Sequence, residues 1–592
     1  MAAGPEQQST AAWLSRQLWP VISAYWCSGH KWRVRGAVAL LVLMTEAQVG
    51  LAIWLSYWNR ELFDALEARS LSALLLQVTT FALIFVLTML VTALHLHVKR
   101  WLQLDWRRWL TRRLLNQWLP HAHHYQLQFT SGEHDNPDGR IAEDIRIATE
   151  TAVSLALSLL YSVLILGSFI DILLSVSGSL QIPGTTIVVP GYLVLLAFLY
   201  AGAGTAFGLL LGRPLVNATN RLQAVEANLR FGLARARENS ESIALMHGEG
   251  IEQQQAARLF ADVGRGWDRQ TLGYLGIVAF STGYGTLLPV FPLLVAAPQF
   301  IAGTMTLGVL MQAAQAFQRL TSALSWPIDN LGELAKGRAS ADRVASLYHD
   351  LRELEERAQG PVEHRIDLHP GAHDELVLRD LSLAGPDGRL LVEHLNARIR
   401  RGERVLIDGD ASAASCLFKA VAGLWPWGNG EIRLPAGEHI VFLSQRPFLP
   451  DGSLRAALSY PHPPGHFPSG ALEHVLHCAG LDWLASRLGD SDRWDAVLPL
   501  RAQQRLGIAR LLLQRPAWVF IEEASDAFDP HAEDCLTGIL QRELPDSTLL
   551  TVSFHDNLER YFTRKLVLER VGEERFLNCA REKPAPCALR KA

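Results

Sequence analysis

The stretch RGERVLIDGDASAASCLFKAVAGLWPWGNG, Arg401 to Gly430, governs how the rest of the 592-residue chain is read. Val405, Leu406 and Ile407 predict a buried strand, Asp408 to Ala414 a turn, and Leu417, Phe418 and Val421 an apolar-periodic helix. Strand, turn and helix N-terminus together are the setting in which a glycine-rich loop cradles nucleotide phosphates on backbone N–H groups. That chemistry needs glycines, because the backbone must reach conformations that a Cβ disfavours, and a Lys aimed at the terminal phosphates. Here the candidate phosphate-binding residues are Gly409, Asp410, Ala411, Ser412, Ala413, Ala414, Ser415 and Cys416. Counting forward from Gly409 puts Ser415 in the Lys position, and counting back from KAVAGLWPWG puts Ala414 there. Neither is Lys. The frame of a phosphate site stands here without its central charge.

A chain of 592 residues is too long for one core, so at least two domains are expected. The long apolar runs fall in the first 330 or so residues, and the remainder reads as a soluble α/β domain. Lys and Arg number 55 against 59 Asp and Glu, a formal net charge of −4. This excludes a general nucleic-acid binder, which needs a basic excess to displace counterions. Cys27, Cys416, Cys478, Cys535, Cys579 and Cys587 show no metal-ligand spacing, and most fall where reduced thiols are the default. The N-terminus lacks the charged region and short apolar core of a cleaved signal peptide. AAWLSRQLWPVISAYW, before Trp32, suits a short interfacial helix.

Six apolar segments follow, each near the roughly 20 residues that a membrane span requires. They run approximately Val34–Tyr57, Leu74–Leu96, Leu155–Val176, Gly191–Leu211, Leu275–Ala297 and Gly303–Trp326. Lys99, Arg100, Arg107, Arg108, Arg112 and Arg113 lie between spans two and three. Arg213, Arg221, Arg230, Arg235 and Arg237 lie between spans four and five, whereas SGSLQIPGTTIVVPG and the Pro298–Gly303 connection are uncharged. The positive-inside rule then places both termini in the cytoplasm. Pro289 and Pro292 should kink the fifth span.

Ionisable groups within spans are costly and are functional candidates by default. Glu46, beside Thr45 and Gln48, reads either as a cavity-facing proton or substrate group or as a neutral carboxyl held by a neighbouring helix. Asp171 lies towards a span end and can reach the interface. Gln312, Gln315, Arg319 and Ser322 recur at helical spacing on the sixth span. A polar stripe on a membrane helix faces protein or water rather than lipid, so it reads as cavity lining, with helix packing as the alternative. Between the two halves, LRELEERAQGPVEH reads as a charged linker, and ELVLRDLSLAGPDGRLLVEHLNARI as strands around a Pro-Asp-Gly turn.

KAVAGLWPWGNGEI, FLSQRPFLPDGSLRAALSYP and QQRLGIARLLLQRPAWVFIEEAS resemble the nucleotide-binding domain of an ABC transporter. The resemblance is to the branch shared by SbmA/BacA-like peptide and vitamin B12 uptake proteins and peroxisomal fatty-acyl transporters. YWNRELFDALEA, WLQLDWRRWLTRRLL, HDNPDGRIAEDI, LGRPLV, RENSESIALMHGE and LMQAAQAFQRLTSALSW extend it through the membrane half, from about Trp19 to about Leu568. It implies an α-helical six-span transmembrane domain of the ABC exporter type, followed by an α/β P-loop NTPase-like ABC domain. The expected division is 1–345 transmembrane, 346–372 linker, 373–570 nucleotide-binding-like and 571–592 tail. Two cytoplasmic coupling contacts are implied, near Asp135–Arg140 and Met246–Glu252.

The same resemblance assigns roles by position, with ATP and Mg as the cofactors. Gln445 in FLSQRP matches the glutamine that senses metal and coupling helix; Glu522 stands where the metal-binding Asp is usual; Glu523 keeps the general base. Asp529 and His555 match the D-loop aspartate and the switch histidine. The extra methylene of Glu522 displaces its carboxylate from the usual metal position. The signature loop departs from its pattern, near LSLGEQQRL, because Pro499 replaces a Ser and Arg501 a Gly. Charge-assisted hydrogen bonds contribute about 1.5–3 kcal/mol each, so loss of the Lys alone weakens nucleotide binding by roughly one to two decades. Phosphoryl transfer, which rests on positioning and charge, suffers more.

The resemblance therefore implies a multi-pass bacterial inner-membrane transporter, working as a dimer with a second copy or a homologous half-transporter. The expected solutes are peptides or other bulky amphiphiles, moved with weak or lost ATPase and coupled to protons. An ordinary ATP-driven transporter and a non-transporting membrane scaffold or regulator are the alternatives.

Overall fold

The computed structural model describes residues 25–26, 31–129, 136–177, 179–181, 188–358, 366–385, 388–437, 440–444, 446–522, 530–552, 556–568 and 583–584. They divide into two compact units. The first comprises Met1–Asn116 and Asp135–His349, the second Gln117–His134 and Asp350–Ala592.

In the first unit the apolar runs become helices α1 (Lys31–Glu67), α2 (Leu71–Trp118), α3 (Ile145–Ser177), α4 (Tyr192–Glu238), α5 (Glu249–Ile301) and α6 (Leu307–Asp329). A short antiparallel hairpin, Ser179–Gln181 with Val188–Pro190, joins α3 to α4. Helices α2, α4 and α5 hold 48, 47 and 53 residues. At 1.5 Å per residue each is about 70–80 Å long, more than twice the roughly 30 Å hydrocarbon core of a bilayer. Their excess length carries the arginine-rich stretches between the apolar runs. α5 continues unbroken through Pro289, Pro292 and Pro298.

Five helices among the described residues are long and apolar enough to cross a membrane: α1, α2, the run Pro137–Ser177 that contains α3, α4 and α5. Six were expected. The sixth, α6, has 23 residues, enough to span about 35 Å, but Gln312, Gln315, Arg319 and Ser322 dilute its hydropathy. Position compensates for composition. α6 packs against α1, α3, α4 and α5, burying Ala313, Ala316, Phe317 and Leu320 against Val49, Phe169 and Leu193.

Polar contacts hold both ends of α6. At its start, the carboxylates of Glu67 and Asp64 on α1 accept the Leu307 and Gly308 N–H groups at 2.9 and 3.0 Å, and Thr306 supplies the cap. Gly308 permits that approach, since a Cβ there would lie 2.2 Å from the Arg60 carbonyl oxygen. At its far end, Ser162 donates to the Ala323 carbonyl (2.9 Å) and the Trp326 indole donates to Ser158 (3.0 Å), both on α3.

Helix α7 (Leu331–Ala358) continues into the stretch read as a linker, which therefore begins as helix rather than irregular chain. Just before α3, the single π-helical turn Arg140–Asp144 buries Asp144 beside α7. Arg343 clamps its carboxylate through both Nε (2.7 Å) and an Nη (2.5 Å). Burial pushes the Asp144 carboxyl up, but hydrogen bonds from Arg343 and Ser340 and the charges of Arg343 and Arg140 outweigh it and hold it below the usual range.

The second unit holds two sheets. Strands β1 (Ile366–Pro370), β2 (Glu375–Ala384), β3 (Leu390–Arg400) and β5 (Gly428–Leu434) form one, in the order β1-β5-β2-β3. The other contains β4 (Arg404–Gly409), β6 (Ile440–Leu443), β7 (Trp518–Ile521), β8 (Thr548–Val552) and β9 (Arg564–Leu568). Its order is β9-β4-β8-β7-β6, all parallel, with Lys583–Pro584 added antiparallel at the β9 edge. The central strands β4, β8 and β7 are buried on both faces and read as nearly continuous apolar runs. Helix α8 (Ala411–Val421) packs between the sheets through Ala413, Leu417, Phe418 and Val421. Helix α9 (Leu500–Gln514) lies in a second core with Leu454, Leu472, Leu476 and Trp494.

Replacing Arg343 with Met leaves the buried Asp144 carboxylate with only Ser340 and the Arg140 charge to offset its burial, and should cost about 2–3 kcal/mol of stability near neutral pH. Because the folded carboxyl is depressed, this stabilisation is present above the unfolded value and is lost as the pH falls below about 4. Thermal unfolding of wild type and Arg343→Met in detergent should therefore differ at pH 7 and converge on acidification.

Candidate functional site

The junction between β4 and α8 is one residue long. β4 ends at Gly409, α8 begins at Ala411, and Asp410 alone connects them. The sequence predicted a turn as far as Ala414, so this is a correction, and its cause is composition. Beyond Gly409 there is no glycine before Gly423, and alanine is the strongest helix former. The residues that would loop therefore wind into the first turn of the helix.

Asp410 caps that turn, its Oδ1 accepting the Ala413 N–H at 2.9 Å. Asp408 accepts the Gly409 N–H at 2.7 Å, and the Asp410 N–H donates to the Leu568 carbonyl at 2.8 Å. Gly409 has φ +110°, and a Cβ there would stand 1.9 Å from the same Leu568 oxygen. Glycine is thus required here for backbone packing against β9. Lys565 on β9 meets Asp408 Oδ2 at 2.8 Å and Glu559 Oε1 at 2.5 Å, and both hydrogen bonds raise its pKa.

Ala413 and Ala414 are fully buried in the core between the sheets, so neither β-carbon faces the solvent side of the junction. Ser415 does. Its hydroxyl donates to a carboxylate oxygen of Glu522, at the end of β7, whose own N–H is held by the Leu443 carbonyl at 2.9 Å. Of the two countings open in the sequence, this contact favours the one with Ala414 in the Lys position, leaving Ser415 in the hydroxyl position beside the acidic strand. Cys416 is buried, which pushes its thiol up to about 11. Gln445, Glu523, Asp529 and His555 lie outside the described residues.

The departed signature loop opens α9. Pro499 is its N-cap residue in extended conformation with no side-chain cap, and Arg501 is exposed. Gln503 turns back to donate to the Asp495 and Leu498 carbonyls, both at 2.8 Å.

In the membrane unit the candidates part company. Glu46 is exposed on α1, while Thr45 beside it is buried, donating to the Leu41 carbonyl and standing 3.4 Å from His95 Nε2 on α2. Gln312 is completely enclosed, with neither amide atom hydrogen-bonded among the described residues. Gln315 is half-buried, 3.5 Å from the Asn59 amide, and Arg319 is exposed.

Two features were missed by sequence reasoning. His95 lies on an apolar helix in the pattern HLH, a signal available in the sequence but passed over. The other is an aromatic seat. Phe129 packs edge-on against Trp425 and Trp427, with centroids 5.5 and 5.2 Å away, while the Trp425 indole donates to the Ala384 carbonyl at 2.9 Å. The segment Gln117–His134, between the second and third apolar helices, belongs to the second unit.

Comparison with known proteins gives these observations a frame. A family model for ABC transporter transmembrane region 2 matches residues 22–292. The inner membrane ABC transporter ATP-binding protein YddA of Escherichia coli is 29% identical, over 87% of this chain and 91% of its own. ABC transporter D family member 2, chloroplastic, of Arabidopsis thaliana is 28% identical, over 91% and 84%. The human lysosomal cobalamin transporter ABCD4 is 26% identical, over 80% and 81%. The chain is therefore a multi-pass membrane protein whose residues 22–292 match an ABC transporter membrane region, and over most of its length it is similar to proteins named as ABC transporters, D-family members among them.

Proposed function

We propose that this chain is half of a dimeric bacterial inner-membrane transporter for peptides or other bulky amphiphilic solutes, that α6 is its sixth span, and that it draws chiefly on the proton gradient. One observation carries the reading of the energy source: the one-residue junction at Asp410. Its residues do not fit the usual phosphate cradle. A carboxylate already accepts an N–H group of the first helical turn, and it places negative charge where a phosphate would have to sit. The Lys that would offset this is missing, at an expected cost of one to two decades in affinity. Mg-ATP binding to this domain is accordingly weak.

A second reading, an ordinary ATP-driven transporter, has one observation in its favour. Ser415 and Glu522 remain together, and they are the hydroxyl and carboxylate that would hold Mg²⁺. On our reading they are what survives of a nucleotide site whose phosphate half has closed.

Glu46 supplies the proton step. It is the acidic residue in the middle of a span, it is exposed on α1, and it neighbours the Thr45–His95 contact between α1 and α2. Gln315 and Arg319 on α6 line the solute path, and Gln312 marks its enclosed end. For the solute, the human relative is named a cobalamin transporter, so cobalamin belongs in a panel with peptides.

Asp410→Asn keeps a good helix cap and removes its charge. Affinity for Mg-ATP, measured by calorimetry, should rise about three- to tenfold over a weak wild type. A wild-type dissociation constant in the low micromolar range would contradict the reading. Solute uptake into proteoliposomes under an imposed pH gradient, with and without ATP, tests the energy source. Glu46→Gln should abolish or strongly reduce it, and Glu523→Gln should leave it nearly unchanged. The opposite pair of results would return the protein to the ATP-driven class.

A further inference from the structure

The outer face of the four-stranded sheet carries an unusual concentration of arginine. Alternation along β2 and β3 sends Leu376, Leu378, Ala397 and Ile399 into the core. The intervening positions bring Glu375, Val377 and Arg379, and on the next strand Arg400, Arg398 and Asn396, to the opposite face. On the other side of β2, Arg433 of β5 stands opposite Val377. Val377 is thus the floor of a seat with Arg398 on one flank and Arg433 on the other, and Arg379 is two residues further along. Strand spacing sets the two flanking Cα atoms about 10 Å apart, with Arg379 about 7 Å along β2 from Val377.

These side chains line a concave cavity of about 740 Å³, which also takes in Arg400, Glu403 and Arg564. Its arginines outnumber its carboxylates five to two. Glu375 answers Arg398 at 2.5 Å and Glu403 answers Arg564 at 3.5 Å. Just beyond the lining, Glu431 is shared. Arg433 takes both of its oxygens (2.6 and 3.1 Å), His369 lies 3.1 Å away, and Arg379 stands off at 3.7 Å. One carboxylate therefore serves three basic groups. The surplus is positive charge on planar forks, the geometry that takes phosphate oxygens in pairs. The seat is also remote from the β4–α8 junction. Glu403 precedes β4, whereas Gly409 ends it.

We propose that this arginine-walled groove is a second anion site, which takes a ligand bearing two or more phosphate groups between Arg398, Arg433 and Arg379. The same chemistry is offered by a soluble polyphosphate and by adjacent phosphate headgroups of anionic phospholipids at a bilayer surface, and the experiment separates them.

The full-length protein, reconstituted in nanodiscs of phosphatidylcholine alone, is titrated with inorganic tripolyphosphate by calorimetry without Mg²⁺. Saturable binding is expected. It should weaken tenfold or more in Arg398→Gln/Arg433→Gln, through loss of two charge-assisted contacts. Val377→Asp, which keeps every arginine but places a carboxylate on the floor, should weaken it similarly. Ser415→Ala should leave it intact, which separates this groove from the nucleotide junction. In nanodiscs with phosphatidylglycerol and phosphatidic acid, suppressed binding identifies lipid headgroups as the occupant, and unchanged binding a soluble one. Absence of binding to wild type, or equal affinity in both groove variants with unaltered thermal unfolding, overturns the proposal.

Discussion

The hydrogen bond from the Asp410 N–H to the Leu568 carbonyl fixes where β4 stops, and the chemistry of the second unit follows from it. Strand and helix meet with no slack, because Gly409 lets the backbone lie directly against β9 and Asp410 caps the helix in the next residue. A phosphate loop works by holding several backbone N–H groups open for a ligand. Here the N–H groups of Gly409, Asp410 and Ala413 are consumed within the fold. The substitution favours stability over ligand binding, since a cap contributes about 1 kcal/mol whether or not a nucleotide is present.

The membrane unit meets a comparable conflict between local composition and position. A helix with three glutamines and an arginine is a poor lipid neighbour. It is tolerated where four other helices surround it, and where carboxylates from α1 and serine hydroxyls from α3 hold its ends. Such anchoring matters more in a bilayer than in water, because the hydrocarbon offers an unsatisfied N–H no alternative partner.

The sequence was most informative where one physical signal dominated. Length and apolarity revealed α1 to α5, and alternating or continuous apolar runs revealed the strands around Arg401–Gly430. The helix start at Ala411 was equally open to reading, since an Asp before an alanine run is a cap signal, but the expectation of a loop obscured it. Long-range features were beyond reach. Nothing local to Phe129 points to Trp425 some three hundred residues on, and the pairing of Asp144 with Arg343 follows only once α3 and α7 are side by side. The groove arginines lie between: period two puts Arg379, Arg398 and Arg433 on strand faces, but the cross-strand register makes them neighbours.

The composition of α6 also bears on how the polypeptide is made. A nascent helix enters the bilayer in proportion to its own apolarity, and each polar residue near its centre raises the cost. The proposed sixth span would pass poorly on its own, yet its two ends bond to helices synthesised far earlier, α1 and α3. If α6 spans as proposed, its integration is a late, assisted event that requires the earlier helices to be already in place. A ribosome-bound chain that ends after α5 would expose the vacant slot lined by Val49, Phe169 and Leu193. That makes the interval before α6 emerges the point of greatest exposure to membrane quality control.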